Sequence, residues 1–383
     1  MKNNRSCSVF LVGCFLIAIL APLLFVNTTA GRVSAAENRA LAAFPKFFAD
    51  AWRVNPQFIT QFEKWFNDNL GFRDEFVIAN TKMQYHVFGR LTKTDTLLGK
   101  EQWTFYVNPD VIRDYQHLNT SDVRPLEQWK TALAHLDQFM KAKSIPFVMM
   151  LLPDKKTVYP EYYPPTIHQI GKTSRSDLLS NLLATQTSVD FLYLKDTLLQ
   201  AKQKTEVYSP RIDNAHWNSY GAFVGYQALI ARVQKYHPNV RGLSWADVDV
   251  SRHYREIKVY NAIPLAEMEY SVRSKRPLQA VQVPGAYAKL KLNQGDQCFQ
   301  YLHPDKKLPR ALIFGDSYFY GQLIPFLGES FAEMNFIHIS NMGRFAELVD
   351  LLKPDIVVFE VVERMLDGVM PYVVSSWLVR HTQ

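Results

Sequence analysis

The sequence predicts an α/β fold in which helices flank a largely parallel sheet. Three apolar runs, residues 147–152, 311–314 and 356–362, are bounded by turn residues, which is typical of buried strands. Helical patterns stand between such runs, for example residues 126–143 before the first and 345–352 before the last. Because a helix, a short turn and an apolar strand form half of a βαβ unit, this order of elements indicates a parallel sheet.

Length and composition allow a large core. The 383 residues are 48% hydrophobic and 13% aromatic, which is enough for two structural units or one large domain with an insertion. The formal net charge is +7, but the Lys and Arg residues are scattered and form no basic run with interleaved aromatics. The pattern argues against nucleic-acid binding. It is equally consistent with anionic polymers, a membrane face or an ordinary solvated surface.

The three cysteines form no redox or metal motif. Cys7 and Cys14 lie in the first apolar stretch and only Cys298 belongs to the body, so the body has no internal disulfide. The sequence contains neither a CxxC pair nor a Cys/His cluster with zinc spacing. We therefore expect no metal and no other cofactor.

The amino-terminal segment is predicted to enter a membrane. Residues 7–26 carry no charge and are long enough to cross a bilayer as a helix. Lys2 and Arg5 precede them, which by the positive-inside tendency leaves the body on the periplasmic or extracytoplasmic side. We expect residues 1–30 to be a retained single-pass anchor in the cytoplasmic (inner) membrane. A signal peptide cleaved near residues 33–35 (Val-Ser-Ala) is the alternative.

The body is expected to have two parts. Residues 37–110 contain two amphipathic helical runs and a hairpin with aromatic residues, and we expect this region to pack on the remainder. Residues 111–383 are expected to form the α/β domain. Within them, residues 238–304 break the pattern. Two stretches there, 253–260 and 287–292, alternate polar and apolar residues, which indicates half-exposed strands of a β-rich insertion or rim.

A glycine, an acid and a serine end the strand predicted at residues 311–314. Gly315 allows a sharp backbone turn, which places Ser317 at the carboxyl end of the strand. Open α/β sheets bind their ligands at that end. Serine needs a neighbouring base to take its proton. Ser317 is therefore the candidate nucleophile, and the remainder of the chain must supply the base.

The candidate base is His216, in a segment that reads as a loop entering a helix with Asn218 as its cap. Histidine suits proton transfer at neutral pH, and Asp213, three residues earlier, could hold the ring in one tautomer. Backbone N–H groups around Ser317 could stabilise an oxyanion. Such a site performs acyl transfer to water or to another hydroxyl without a metal.

Polar residues after two other strands are further candidates. Lys155 follows the strand at residues 147–152 and either meets a polar substrate or lies solvated in its loop. Glu363 and Arg364 close the last strand, where they either brace the same cleft or form a structural ion pair.

The two motifs resemble those of a known group. Residues 315–317 (Gly-Asp-Ser) and 213–216 (Asp-x-x-His) are similar to the first and last blocks of SGNH hydrolases, with their order reversed. That permuted order, with Trp217 and the Tyr-Gly-Ala of residues 220–222, resembles the SGNH-like domain of alginate O-acetylation proteins (AlgX/AlgJ type). Further similar blocks lie in residues 37–45, 66–73, 153–161 and 353–364. The resemblance thus covers nearly the whole body.

The resemblance implies a flavodoxin-like SGNH fold and an envelope enzyme that transfers acetyl groups onto a secreted polysaccharide, an exopolysaccharide such as alginate, through Ser317. It also implies a polytopic membrane-bound O-acyltransferase that supplies the acetyl group. Asn341 is the candidate for the oxyanion asparagine of the group. Gly315, Lys155 and Arg364 are the other candidates for oxyanion or substrate contacts.

The chain departs from the family at one position. The family usually has Asp-x-His-Trp, whereas Asn214 stands two residues before His216 here. Asp213 and Asn214 are therefore alternative orienting residues for the ring. Three other functions stay open: a non-catalytic carbohydrate-binding or scaffold subunit of a polysaccharide secretion complex, a secreted acetyl esterase, and a secreted lipid esterase.

Overall fold

The structure, a computed structural model, describes residues 2–29, 31–50, 52–120, 122–320 and 323–378. The chain divides into two units. The first comprises Met1–Lys93 and Glu256–Leu265, and the second comprises Thr94–Arg255 and Ala266–Gln383.

The first unit begins with the apolar helix expected from the sequence. Its elements are α1 (Lys2–Leu24), β1 (Val33–Ser34), β2 (Arg39–Ala40), β3 (Phe48–Asp50), β4 (Arg53–Val54), α2 (Phe58–Asn69) and α3 (Arg73–Phe88). Within α1, Cys7–Leu24 has a mean hydropathy of 2.7 and is almost entirely unburied. Its length and composition suit either a signal anchor or a membrane span.

An ion pair ties together the two family-like blocks of the first unit. Arg39 donates two hydrogen bonds to the carboxylate of Asp68, at 2.8 and 2.6 Å. These bonds lower the pKa of Asp68 to about 2, although burial opposes them. The Arg39 segment is thereby fixed to the end of α2.

The second unit contains the α/β core. Its elements are β5 (Thr96–Leu98), β6 (Thr104–Tyr106), α4 (Pro109–Tyr115), α5 (Arg124–Ala142), β7 (Phe147–Leu152), α6 (Lys155–Val158), α7 (Arg175–Gln186), β8 (Asp190–Tyr193), α8 (Lys195–Ala201), α9 (Ser219–Val233), most of β9 (Val248–Val259) and of β10 (Ile263–Ser274), β11 (Val281–Gln282), β12 (Phe299–Leu302), β13 (Arg310–Gly315), α10 (Ile324–Gly328), β14 (Glu333–His338), α11 (Phe345–Leu352), β15 (Ile356–Val362) and α12 (Leu366–Leu378).

A seven-stranded sheet lies at the centre, in the order β11-β12-β14-β13-β15-β7-β8. The strands from β14 to β8 are mutually parallel, whereas β11 and β12 form an antiparallel edge. Alternate residues of β7 belong to two different apolar clusters. One contains α9 residues such as Phe223, and the other contains α5 residues such as Leu133. Helices therefore cover both faces, as the continuous apolar strands predicted.

The segment between α9 and β13 is mixed rather than purely strand. Residues 253–260 fall almost entirely within β9, which pairs with β10 as a separate two-stranded sheet. The strand expected at residues 287–292 is wrong: Ala288–Leu290 is a 3₁₀ turn, followed by Lys291 with φ of +47°. The side chain that anchors this turn is Tyr287, whose hydroxyl donates to Oδ1 of Asn335 at 2.6 Å.

The topology places the end of β13 at a crevice. The chain passes from β13 to its neighbour β14, and then crosses back to β15 on the other side of β13. Such a reversal of direction leaves an opening at the carboxyl ends of parallel strands. Ser317 follows β13 directly.

Alanine substitutions at two glycines test how closely the helices pack around this core. A Cβ on Gly221, in the first turn of α9, would lie 2.1 Å from the carbonyl oxygen of Val207, whereas one on Gly368 in α12 would meet nothing closer than 3.9 Å. We expect Gly221→Ala to lower the free energy of unfolding by about 1–3 kcal/mol. Gly368→Ala should raise it by about 0.5–1 kcal/mol, because alanine is the better helix former. Urea unfolding of the full chain in detergent measures both changes, and equal effects would contradict the close packing of α9.

Candidate active site

Ser317, His216 and Asp213 meet at the carboxyl end of β13. Oγ of Ser317 lies 3.0 Å from Nε2 of His216. Nδ1 of His216 lies 3.0 Å from Oδ2 and 3.2 Å from Oδ1 of Asp213. Because a carboxylate only accepts hydrogen bonds, Nδ1 carries the proton and Nε2 is the acceptor for the Ser317 hydroxyl. This is the arrangement that proton removal from serine requires.

The backbone holds Asp213 in place and in its charged form. Its Oδ1 accepts the N–H groups of Ala215 at 2.8 Å and His216 at 2.9 Å. Burial by itself raises the pKa of Asp213, but the bonds from the His216 ring and the two N–H groups outweigh it and hold the pKa well below its usual range. The carboxylate is therefore an anion at neutral pH.

The loop that carries His216 is closed at its base. Tyr208 and Trp217 form an isolated antiparallel bridge. The side-chain oxygen of Asn218 accepts the N–H of Gly221 at 2.9 Å, and its amide donates to the carbonyl of Glu206 at 2.8 Å. Asn218 thus caps α9, as the sequence predicted, and also joins the two ends of the loop.

A pair of hydrogen bonds, which we call the aromatic clamp, joins the His216 and Ser317 loops. Nε1–H of Trp217 donates to the carbonyl of Tyr318 at 2.9 Å, and the hydroxyl of Tyr318 donates to the carbonyl of Ala215 at 2.6 Å. Sequence reasoning missed Tyr318. Its position beside Ser317 was the available signal.

The side chain of Asn214 points away from the His216 ring. Its amide donates to the carbonyl of Asp95 at 3.0 Å and to Oγ1 of Thr96 at 2.7 Å. Of the two alternative orienting residues, Asp213 is the one within hydrogen-bond reach of Nδ1. Asn214 instead ties the loop to β5.

Lys155 lies buried behind the loop, so the expectation of a solvated lysine is wrong. Its Nζ donates to the carbonyls of Pro210 at 3.1 Å and Asp213 at 2.9 Å. The rings of Trp103 and Phe105 cover it, with centroids 5.3 and 5.4 Å from Nζ. Burial lowers the pKa of Lys155 to about 7, partly offset by neighbouring carboxylates. Through these contacts Lys155 supports the backbone of Asp213.

Asn341 is hydrogen-bonded to backbone groups. Its Oδ1 accepts the N–H of Asn293 at 2.9 Å, and its amide donates to the carbonyls of Asn293 and His338 at 2.9 and 3.0 Å. The candidate for the oxyanion asparagine therefore braces a surface segment against the end of β14. Its two functional groups are both engaged by backbone.

Gly315 and Arg364 lie one layer behind the triad. A Cβ at Gly315 would lie 2.7 Å from Oε2 of Glu360 and 2.9 Å from the ring of Phe336, so a larger residue would displace one of these side chains. Arg364 forms an ion pair with Asp154 and donates to the hydroxyl of Tyr318 at 3.1 Å. Of the two alternatives for Arg364, the structural ion pair matches the geometry. Through Tyr318, the arginine also supports the aromatic clamp.

Comparison with known families identifies the domain that carries this triad. Residues 96–334 match the family model described as SGNH hydrolase-like domain, acetyltransferase AlgX, which is more than half of the chain. The chain belongs to this family. The family and the fold class predicted from the two motifs are therefore confirmed, and the chain is by family an acetyltransferase or esterase of SGNH type.

Two solved structures of PatB1 share the fold of this AlgX-family chain, and an AlgJ domain is also similar. The structure of Bacillus cereus PatB1 with a sulfonyl adduct has a TM-score of 0.53 at 17% identity, covering 71% of this chain and 97% of that one. A second structure of Bacillus cereus PatB1 has a TM-score of 0.52 at 17% identity, covering 71% and 96%. The O-acetyltransferase domain of Pseudomonas putida AlgJ has a TM-score of 0.42 at 17% identity, covering 73% and 99%. No curated protein matches the sequence significantly.

A buried acid lies beneath the Ser317 turn of this AlgX-family domain. Glu360, in the middle of β15, is fully buried, and its Oε2 accepts the N–H of Asp316 at 2.9 Å. Among the described residues its Oε1 has no hydrogen-bond partner. Burial and the nearby charge of Asp316 raise the pKa of Glu360 well above its usual value, which favours its protonated form. A single acid inside an apolar strand was the signal for it.

A buried ion network joins the ends of β7 and β15. Nζ of Lys156 lies 2.8 Å from Asp114, 3.1 Å from Asp154 and 3.9 Å from Glu363. Oε2 of Glu363 also accepts the N–H of Asp154 at 2.8 Å. Removing one member would leave an unpaired buried charge. The network therefore fixes the frame from which Arg364 reaches Tyr318.

Two substitutions separate the roles of Asp213 and Asn214. We expect Asp213→Asn to lower kcat by about 10³–10⁴-fold, because an amide can donate to Nδ1 and select the wrong tautomer of His216. Asn214→Ala removes two hydrogen bonds to β5 and should lower the free energy of unfolding by about 1–3 kcal/mol with little effect on kcat. Hydrolysis of a chromogenic acetyl ester and urea unfolding measure these effects. A larger loss of kcat for Asn214→Ala would reverse the assignment.

The protonation of Glu360 has a consequence for pH dependence. Above about pH 4.3 an unfolded glutamate loses its proton, whereas Glu360 keeps it in the folded state. The native state then binds more protons, so this group makes the protein less stable as pH rises towards its folded pKa. Glu360→Gln has no proton to lose. The free energy of unfolding of Glu360→Gln, relative to wild type, should therefore rise as the pH increases above about 4.

The control for this prediction is Glu347→Gln, at an exposed ion pair with Arg344. Because an ion pair lowers the pKa of Glu347, this substitution should not produce a rise with pH. Denaturant unfolding at a series of pH values measures both variants. A difference between Glu360→Gln and wild type that stays constant with pH would show that Glu360 is ionised in the folded protein.

Proposed function

We propose that this chain is an extracytoplasmic polysaccharide O-acetyltransferase that works through an acetyl-Ser317 intermediate. The observation that carries the proposal is the 3.0 Å approach of Ser317 Oγ to Nε2 of His216, whose other nitrogen is held by ionised Asp213. Family membership supports acetyl transfer as the reaction. The polysaccharide acceptor comes from the family resemblance.

In the first half-reaction His216 acts as the general base. Nε2 takes the hydroxyl proton of Ser317 while Oγ bonds to the carbonyl carbon of the acetyl donor, whose C=O electron pair moves onto oxygen. Asp213 stabilises the imidazolium that forms. The tetrahedral intermediate then expels the leaving group, which takes the proton from Nε2, and acetyl-Ser317 remains.

The second half-reaction runs through the same atoms in reverse. A hydroxyl of the polysaccharide gives its proton to Nε2 of His216 as its oxygen attacks the acetyl carbon. The bond between that carbon and Ser317 Oγ then breaks, and the proton returns to Oγ. The product is an O-acetylated polymer and a free enzyme, so no cofactor is consumed.

The proposed oxyanion donor is the backbone N–H of Ser317. The neighbouring N–H groups are engaged, since Asp316 donates to Glu360 and Tyr318 donates to Oδ1 of Asp316. Within the described part of the chain, the Ser317 N–H has no protein acceptor. It is therefore free to donate to the developing oxyanion.

The membrane arrangement is part of the same proposal. The hydropathy of α1 and the preceding Lys2 and Arg5 support a single-pass anchor in the cytoplasmic membrane with the catalytic unit outside. A polytopic membrane-bound O-acyltransferase would then present the acetyl group at the outer surface. The proposed domain limits are those expected from the sequence, with an anchor before a helical and hairpin region and the SGNH-like domain.

The test is the loss of acetyl chemistry in Ser317→Ala. With the full chain in detergent, we expect wild type to hydrolyse a chromogenic acetyl ester and release its chromophore. We also expect a serine-directed phosphonate to label it at one residue. Ser317→Ala should lower release by at least about 10³-fold and abolish labelling while thermal unfolding stays unchanged. Ser180→Ala, on α7, is the matched control and should behave as wild type.

The outcome also separates the competing functions. Transfer of labelled acetyl from wild type to a polysaccharide supports the transferase, whereas release only as free acetate would contradict it and leave an esterase. A folded wild-type protein that binds polymer but is neither labelled nor active would be a scaffold subunit, and the proposal would fail.

A further inference from the structure

The first unit exposes an unusual number of large aromatic side chains. Trp52, between β3 and β4, is 88% exposed, and five phenylalanines are 42–60% exposed. The five are Phe44, Phe47, Phe48, Phe72 and Phe76, and together with Trp52 they form what we call the aromatic face. Contiguous exposed apolar surface of this kind marks an interaction site.

The aromatic face begins where α1 ends. The N–H of Gly71 donates to the carbonyl of Pro22 at 3.1 Å, and the N–H of Asn27 donates to the carbonyl of Asn69 at 2.8 Å. The ring of Phe25, just beyond α1, lies 4.9 Å from that of Phe72. The end of the apolar helix is therefore fixed to the turn between α2 and α3.

A second group of ring contacts lies along α2 and reaches the β3–β4 strands. Phe44 packs on Phe62 of α2 with centroids 6.0 Å apart, and Phe47 packs on Phe58 at 5.0 Å. Phe48 in turn lies 6.5 Å from Trp52. The twelve residues of α2 rise about 18 Å, and the helix joins this group to the turn that holds the end of α1.

We propose that the aromatic face lies on the surface of the bilayer that α1 enters, among the phospholipid headgroups. Aromatic side chains favour that interface, where an apolar ring meets a polar layer. Lys46 and Arg53 flank the β3–β4 aromatics and are exposed, which suits attraction to anionic headgroups. The inference rests on the anchoring by α1 proposed above, and its occupant is lipid because the face is continuous with that helix.

The aromatic face would give the first unit a fixed orientation on the membrane. A helix anchor alone leaves the residues after it free to rotate about its end. A second line of contact along α2 removes that freedom, as interfacial aromatic anchors do for other membrane helices.

Lipid quenching of Trp52 tests the inference. The full chain is reconstituted in vesicles of equal amounts of phosphatidylcholine and phosphatidylglycerol, with the phosphatidylcholine either plain or brominated near the headgroup end of its chains. The emission of Trp52 is taken as the difference between wild type and Trp52→Phe. We expect brominated lipid to quench this difference signal. Trp129→Phe removes a buried tryptophan. It should leave unchanged the amount of emission that is lost to brominated lipid.

Flotation of the same vesicles separates this inference from the anchoring. If the chain floats with the vesicles after an alkaline wash and Trp52 is not quenched, the aromatic face does not contact lipid and the inference is wrong. If the chain does not float, the anchoring and the inference both fail, while ester release still reports on the triad. If the quenching of Trp52 by brominated lipid falls as the density of protein in the vesicles is raised, a second copy of the chain covers the aromatic face. This result would also overturn the inference.

Discussion

The site depends on the aromatic clamp, the pair of hydrogen bonds in which Trp217 donates to Tyr318 and Tyr318 donates to Ala215. The two loops that it joins lie 101 positions apart in the chain, and each contributes one of the two reacting side chains. A displacement of about 1 Å between a nucleophile and its base can cost about 10²-fold in rate. The clamp uses main-chain carbonyls next to His216 and Ser317, so it fixes the backbone that carries them. Arg364 supports the tyrosine from behind.

Buried charges then support each loop from the protein side. Lys155 holds the backbone of Asp213, and Glu360 accepts the N–H of Asp316, the residue that precedes Ser317. Buried ionisable groups are unfavourable unless paired or neutral. Here burial shifts the pKa of Glu360 towards its neutral form, and Lys156 is paired with several carboxylates. These groups lie beside the triad and not in it.

The local sequence predicted most of the core elements and offered the candidate reacting residues. Apolar runs predicted β7, β13 and β15, because strands buried on both faces need no alternation. Asn218 was recognised as a cap from its place before an apolar helical pattern. The Gly-Asp-Ser turn and the Asp-x-x-His spacing indicated the family that the match over residues 96–334 confirms. Each of these signals is contained within a few neighbouring residues of the chain.

Sequence alone determined the strands, the caps and which serine, histidine and acid to consider, since propensity, periodicity and turn chemistry act over short distances. Only the tertiary structure decided the partners. In the structure His216 bonds to Asp213 and not to Asn214. Lys155 is buried under Trp103, and Asn341 bonds to backbone groups. The physical reason is that a side chain's role depends on which groups the fold brings within about 3 Å, and those groups come from distant parts of the chain.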